Sequence, residues 1–183
     1  LQVATHTLKA HWSNRAVPKL QPYVFRVAEM VNTAPFPLLA GPLSLFHKGG
    51  FIGTVPLERI PQGGKMTLTF GAEDGFKVKR TVVQEVKRDT GFLGASKRFG
   101  YAYRFELSNY RSGAEEIQLS EHVPVSELDD VHVELEPKTT AGYELNKPDG
   151  IVTWKVKVPK GETKTVDLLF HVDVPGNYGT EGM

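Results

Sequence analysis

The chain has 183 residues, 40% hydrophobic, 10% aromatic and 23% charged, a globular composition that excludes an intrinsically disordered chain. Lys plus Arg number 22 against 21 Asp plus Glu, a formal net charge of +1, which argues against a dedicated nucleic-acid binder with its strongly basic domain. Cysteine is absent, which removes disulfides, thiolate metal sites and a cysteine nucleophile together.

The chain opens Leu1-Gln2-Val3, with no charged stretch leading into an apolar one, so no signal peptide is in view. That start suggests a fragment or processed product. No apolar run approaches the ~18–20 residues of a membrane span. The dominant period is two. Strands are expected near 3–12, 22–31, 42–47, 51–57, 65–71 and 76–88. Turns at Lys48-Gly49-Gly50, Pro61-Gln62-Gly63-Gly64 and Asp74-Gly75 punctuate them.

The second half alternates more cleanly. Tyr101, Tyr103, Phe105 and Leu107 share one face, with Ala102, Arg104, Glu106 and Ser108 on the other. Val131, Val133 and Leu135 alternate with His132, Glu134 and Glu136. Val152, Trp154, Val156 and Val158 point inward while Lys155 and Lys157 meet water. Val166, Leu168, Phe170, Val172 and Val174 alternate with Asp167, Leu169, His171 and Asp173, which are expected on the wet side. Pro148-Asp149-Gly150 and Pro159-Lys160-Gly161 are turns. A turn or two of helix is expected around Ser126-Glu127-Leu128-Asp129-Asp130. No internal repeat stands out.

These elements predict an all-β fold, an antiparallel β-sandwich in two lobes. Residues 1–95 form an N-terminal antiparallel β lobe. Residues 96–175 form an immunoglobulin-like sandwich, and 176–183 a tail. The boundary is placed in the glycine-rich stretch 91–100.

Two sets of segments carry a family resemblance. The first comprises Arg26-Val27-Ala28-Glu29-Met30-Val31-Asn32, Phe36-Pro37-Leu38-Leu39-Ala40-Gly41-Pro42-Leu43-Ser44-Leu45-Phe46, Gly50-Phe51-Ile52-Gly53, and Leu68-Thr69-Phe70 running on to Arg80. The second comprises Phe105-Glu106-Leu107-Ser108-Asn109, Val123-Pro124-Val125-Ser126, Gly150-Ile151-Val152-Thr153-Trp154 and Pro159-Lys160-Gly161-Glu162. In this order they resemble the C-terminal β domain of the mucoidy-inhibitor A family. That resemblance implies a piece of a longer bacterial, envelope-associated protein, in which an N-terminal β domain and a coiled-coil segment precede this one. The domain has no known function in that family, and the resemblance supplies no catalytic residues.

Opposed charge blocks are the most informative feature for function. The basic block is Lys77, Lys79, Arg80, Lys87, Arg88, Lys97 and Arg98. The acidic block is Glu115, Glu116, Glu121, Glu127, Asp129, Asp130, Glu134 and Glu136. Such blocks pair with each other, join chains, or remain as separate solvated faces. Histidines are scattered, and only His132 and His171 sit where two strands could bring them together as weak metal candidates. Glu127, Asp129 and Asp130 lack the spacing of a calcium loop and read as a solvated turn. No Gly-x-Ser-x-Gly elbow and no phosphate-cradling glycine loop occurs.

The expected function is therefore a non-catalytic module for protein–protein interaction or self-association, without a cofactor, in the cell envelope or outside the cytoplasm. A carbohydrate-binding module for exopolysaccharide is the alternative. Tyr23, Tyr110, Tyr143 and Tyr178 would be its stacking platforms, with Trp12 and Trp154 turned inward. A metal-dependent hydrolase using the histidines is the third reading.

Overall fold

The computed structural model describes residues 4–90 and 96–176. Every regular element among them is a β-strand, and the pairings are antiparallel. The chain is an all-β, sandwich-like fold, as its period of two predicts. Among the described residues, no helix is long and apolar enough to cross a membrane. The chain divides into two compact units, Leu1–Arg15 with Val24–Asp74, and Ala16–Tyr23 with Gly75–Met183.

This division corrects the expected boundary. Strands β6 (Phe76–Thr90) and β7 (Ser96–Asn109) pair along their whole length, from Phe76 opposite Asn109 to Thr90 opposite Ser96. The glycine-rich stretch thus joins two arms of one hairpin instead of separating lobes. Residues 91–95 lie outside the described residues, as does the tail from 177. The turn at Asp74-Gly75 is where the units part.

In the first unit, β1 (Ala10–Ala16), β2 (Val24–Val31) and β5 (Lys65–Ala72) are neighbours in that order, and β3 (Gly41–His47) pairs with β4 (Gly50–Leu57). The first strand lies later than the expected 3–12. The anchors explain this: Trp12 packs edge-on against Phe70 and Arg15 bonds Glu29 at 2.6 Å, whereas residues 4–9 are mostly polar and mostly exposed. In the second unit, the sheet order is β6-β7-β12-β9, with β9 (His132–Leu135) and β12 (Thr163–Pro175). There β8 (Glu115–His122), β11 (Ile151–Val158) and β10 (Tyr143–Asn146) follow in the order β10-β11-β8. The expected helix at 126–130 is absent. Ser126 Oγ accepts from the Leu128 amide in a local turn, the alternative that serine offers a backbone over helix.

The core of the second unit falls on the predicted faces. Phe105, Leu107, Val152, Trp154, Val158, Val166, Leu168, Phe170, Val172 and Val174 are buried. Trp154 also donates its indole N–H to the Thr140 carbonyl, so its one polar atom is satisfied.

A repeated device, not seen in the sequence, organises both units. Asn32 follows β2 and Asn109 ends β7, and both are fully buried. Asn32 Nδ2 donates to the carbonyls of Phe36, Ile60 and Pro61, and its Oδ1 accepts from Ala34 N. Asn109 Nδ2 donates to Gly113 and Val158, and its Oδ1 accepts from Arg111 N. Their backbones pair with matching turns, Asn32 with Gly63 and Gly64, Asn109 with Gly161 and Glu162. Gly63 and Gly161 both hold positive φ, 76° and 71°, a conformation glycine adopts without cost. Strand order matches too: β2-β3-β4-β5 corresponds to β7-β8-β11-β12, with β9 and β10 inserted in the second unit.

Candidate functional site

The pairing of β9 with β12 sets His132 opposite Asp173 and Glu134 opposite His171. The two candidate histidines therefore stand diagonally, each facing a carboxylate residue. His171, expected on the wet side, is instead buried, with 6% of its surface exposed. The chain leaving β9 explains the difference, because it brings Glu136 onto the imidazole. Nδ1 of His171 lies 2.6 Å from Glu136 Oε1. Nε2 lies 3.6 Å from Asp173 Oδ2 and 3.7 Å from Glu134 Oε2, and has no hydrogen-bond partner among the described residues.

Arg98 closes this cluster from β7. Its Nε and Nη2 donate to the two Asp173 oxygens at 2.7 and 2.6 Å, a planar two-point grip. The hydrogen bond from Arg98 holds the Asp173 carboxyl below its ordinary range, against the burial that would raise it. The same bond holds Arg98 above its ordinary value. A groove of ≈ 550 Å³ adjoins the cluster, lined by Arg98, Gly100, Ala102, Glu136, Lys138 and His171 among others. Among the described residues, no group of three or more His, Cys, Asp or Glu side chains is arranged to hold a metal ion.

The charge blocks meet inside the chain. Arg80 Nε bonds Glu121 Oε2 at 2.8 Å, and Glu121 is 1% exposed. The Arg80 guanidinium also lies 4.1 Å over the Tyr103 ring. The other Glu121 oxygen accepts from His122 N. Lys79 pairs loosely with Glu106 at 3.5 Å, and Glu115 with Arg111 at 3.3 Å. Glu134 and Glu136 join Arg98 around the His171 cluster. Lys77 is exposed on β6, Lys97 lies on β7, and the side chains of Lys87 and Arg88 lie outside the described residues. Glu116, Glu127, Asp129 and Asp130 are exposed.

Tyr23, Tyr110 and Tyr143 are exposed and Trp154 is buried, as expected, while Tyr178 lies outside the described residues. Trp12 is a correction: it is 41% exposed. Its ring is held from the side by Phe70 and covered by the Arg26 guanidinium at 4.6 Å. Arg26 in turn reaches His47 Nε2 at 3.2 Å and Glu73 Oε1 at 3.4 Å. An indole can remain half in water when a cation stacks on its face.

The feature the sequence reading missed is the outer face of the β3–β4 hairpin. There Pro42 lies opposite Pro56, Ser44 opposite Thr54, and Phe46 opposite Phe51. The two phenylalanine rings sit 5.4 Å apart and are 60% and 62% exposed. The inward partner, Leu45, is buried. Period two within β3 was the available signal, since it puts Pro42, Ser44 and Phe46 on one side and Leu43 and Leu45 on the other.

Comparison with known proteins gives a family and a curated relative. Protein F37C4.5 of Caenorhabditis elegans is 22% identical over 190 residues, covering 96% of this chain and 33% of that protein. The chain thus spans about a third of the length of this curated relative. The family model described as "Domain of unknown function (DUF4139)" matches residues 3–176. With both Asn-centred corners and every described strand inside that match, this chain belongs to the DUF4139 family.

Proposed function

We propose that this chain is a non-catalytic β module that binds another protein, acting in assembly within a longer polypeptide. The observation that carries this reading is the exposed phenylalanine pair on the outer face of the β3–β4 hairpin. Two aromatic rings held in register by a ladder present apolar area at low entropic cost, the character of an interface anchor. The charge blocks contribute less than their sequence promises, because Arg80, Arg98 and Glu121 are engaged within the fold. The resemblance to the mucoidy-inhibitor A family supports placing the longer protein at the bacterial envelope.

The test is site-specific photocrosslinking from position 51 in cells, with position 62 as an exposed polar control. A discrete crosslinked protein from position 51 alone is the expected result. Equal background from both positions would overturn the reading.

A carbohydrate-binding role is the second reading, favoured by half-exposed Trp12 beside Arg26, His47 and Glu73. Ring stacking with planar polar neighbours suits a sugar. Loss of glycan-array binding in Trp12→Ala would support it, and the absence of any glycan bound by the unaltered chain would remove it.

A further inference from the structure

The correspondence between the units exposes a difference at one place. In the second unit, the strand equivalent to β5 is β12, and its outer edge is occupied. β9 pairs with it from Phe170 to Asp173. Below that, Glu136 N bonds the Leu169 carbonyl and Thr140 N bonds the Asp167 carbonyl. Thr139 Oγ1 serves both the amide and the carbonyl of Leu169, and Thr140 Oγ1 accepts from Asp167 N. These hydroxyls stand in for the next strand of the sheet.

In the first unit, β5 ends the order β1-β2-β5. Among the described residues, no backbone group outside β2 hydrogen-bonds to Lys65–Ala72. The usual edge protections are also thin. Lys65 is the only charge on the strand, and the only irregularity lies towards its far end, where Gly71 has φ 87°. A regular edge of Met66-Thr67-Leu68-Thr69-Phe70 is a template for strand addition.

The sequence of this edge points to its occupant. About Leu68 it is a palindrome by residue class: threonine on either side, then methionine and phenylalanine. We propose that a second copy of this chain adds its own β5 here, antiparallel, about a two-fold axis at Leu68. Thr67 of one copy then lies opposite Thr69 of the other, and Met66 opposite Phe70. Leu68 meets its own counterpart, and Lys65 falls opposite Gly71, so no like charges oppose. An isologous contact needs this self-complementarity, and threonine pairs are favourable cross-strand neighbours. The inference rests on the protein-binding reading and names its partner.

The test is the mass of the 183-residue chain by size exclusion with light scattering, across the micromolar to millimolar range, together with circular dichroism. The unaltered chain is expected to form a concentration-dependent dimer. T67K/T69K places lysines opposite lysines twice across the axis and should weaken the dimer by roughly tenfold, with an unchanged spectrum. T67K/T69E places opposite charges together twice and should keep the dimer, now sensitive to salt. A chain that stays monomeric at every concentration, or a T67K/T69K dimer as tight as the parent, overturns the proposal. A monomer that still gives a discrete crosslink to a different protein from position 51 would sink the second-copy partner while leaving the protein-binding reading standing.

Discussion

Asn32 and Asn109 share a set of hydrogen bonds. Each side-chain amide donates to the carbonyl four residues on and to the carbonyl just before the proline of a Pro-x-Gly turn, and Asn32 adds a bond to the Pro61 carbonyl. Each side-chain oxygen accepts from the amide two residues on. Each backbone pairs with the glycine of that turn and the residue after it. One buried amide thereby ties the end of one strand to the turn that begins its neighbour.

Replacing either asparagine should therefore cost more than an average mutation. Asn109→Ala removes the donor for the Gly113 and Val158 carbonyls and the acceptor for the Arg111 amide. A loss of about 2–4 kcal/mol is expected, from unsatisfied buried groups at ~1–3 kcal/mol each. Asn109→Asp should be no better, because a carboxylate would face carbonyl oxygens. Urea denaturation reads this, and an effect under about 0.5 kcal/mol, the scale of ordinary surface changes, would contradict the role assigned to the corner.

The corner was in plain view as residues yet not as a pattern. Asn32 and its Pro61 turn are separated differently from Asn109 and its Pro159 turn, because β9 and β10 are inserted in the second unit. A repeat without a fixed period leaves no periodic signal, and the shared hydrogen bonds are its only common content. Alternation did place the faces of β11 and β12, because Lys155 and Lys157 alternate with Val152, Trp154 and Val158 along a strand buried on one side. It misplaced His171, since alternation gives the face of a residue but not whether another segment covers that face. Trp12 failed for the opposite reason: size suggested the core, while Arg26 lets its ring stay partly wet.

The Arg80–Glu121 pair gives a second prediction. Glu121 is buried, and its Oε2 meets the Arg80 guanidinium at 2.8 Å. Arg80→Met leaves that carboxylate unpaired and should cost about 3–5 kcal/mol. Arg80→Met with Glu121→Leu removes both charges and should recover most of the loss. A double-mutant cycle by chemical denaturation measures it, and a double variant as unstable as the single would show that packing, not charge, is what Arg80 provides.

The Arg98–Asp173 pair sets a pH dependence. The Asp173 carboxyl sits below its ordinary value when folded, so its contribution is present above the unfolded value of about 3.9 and is lost as pH falls through the lowered folded value. Arg98 is partly exposed, which limits the pair to under about 1 kcal/mol. In Arg98→Met, the Asp173 carboxyl carbon should titrate at higher pH by NMR. The stability gap between parent and variant should close as the solution is acidified below about pH 4. A titration of Asp173 unmoved by Arg98→Met would refute the assigned cause.

Thr139 offers the sharpest separation of shape from hydrogen bonding. Its hydroxyl donates to the Leu169 carbonyl at 2.8 Å and accepts from the Leu169 amide at 3.0 Å. Valine keeps the shape and removes both bonds; the Leu169 carbonyl keeps the Glu136 amide, but the Leu169 amide loses its partner, so Thr139→Val should cost about 1–3 kcal/mol. The amide of Leu169 should also exchange faster with solvent than its neighbours on β12, while the amide of His171, which faces β9, keeps its protection. Unchanged exchange at Leu169 would mean that the edge of β12 is sealed by packing alone. The open edge of β5 would then lack the polar cover that distinguishes the two units.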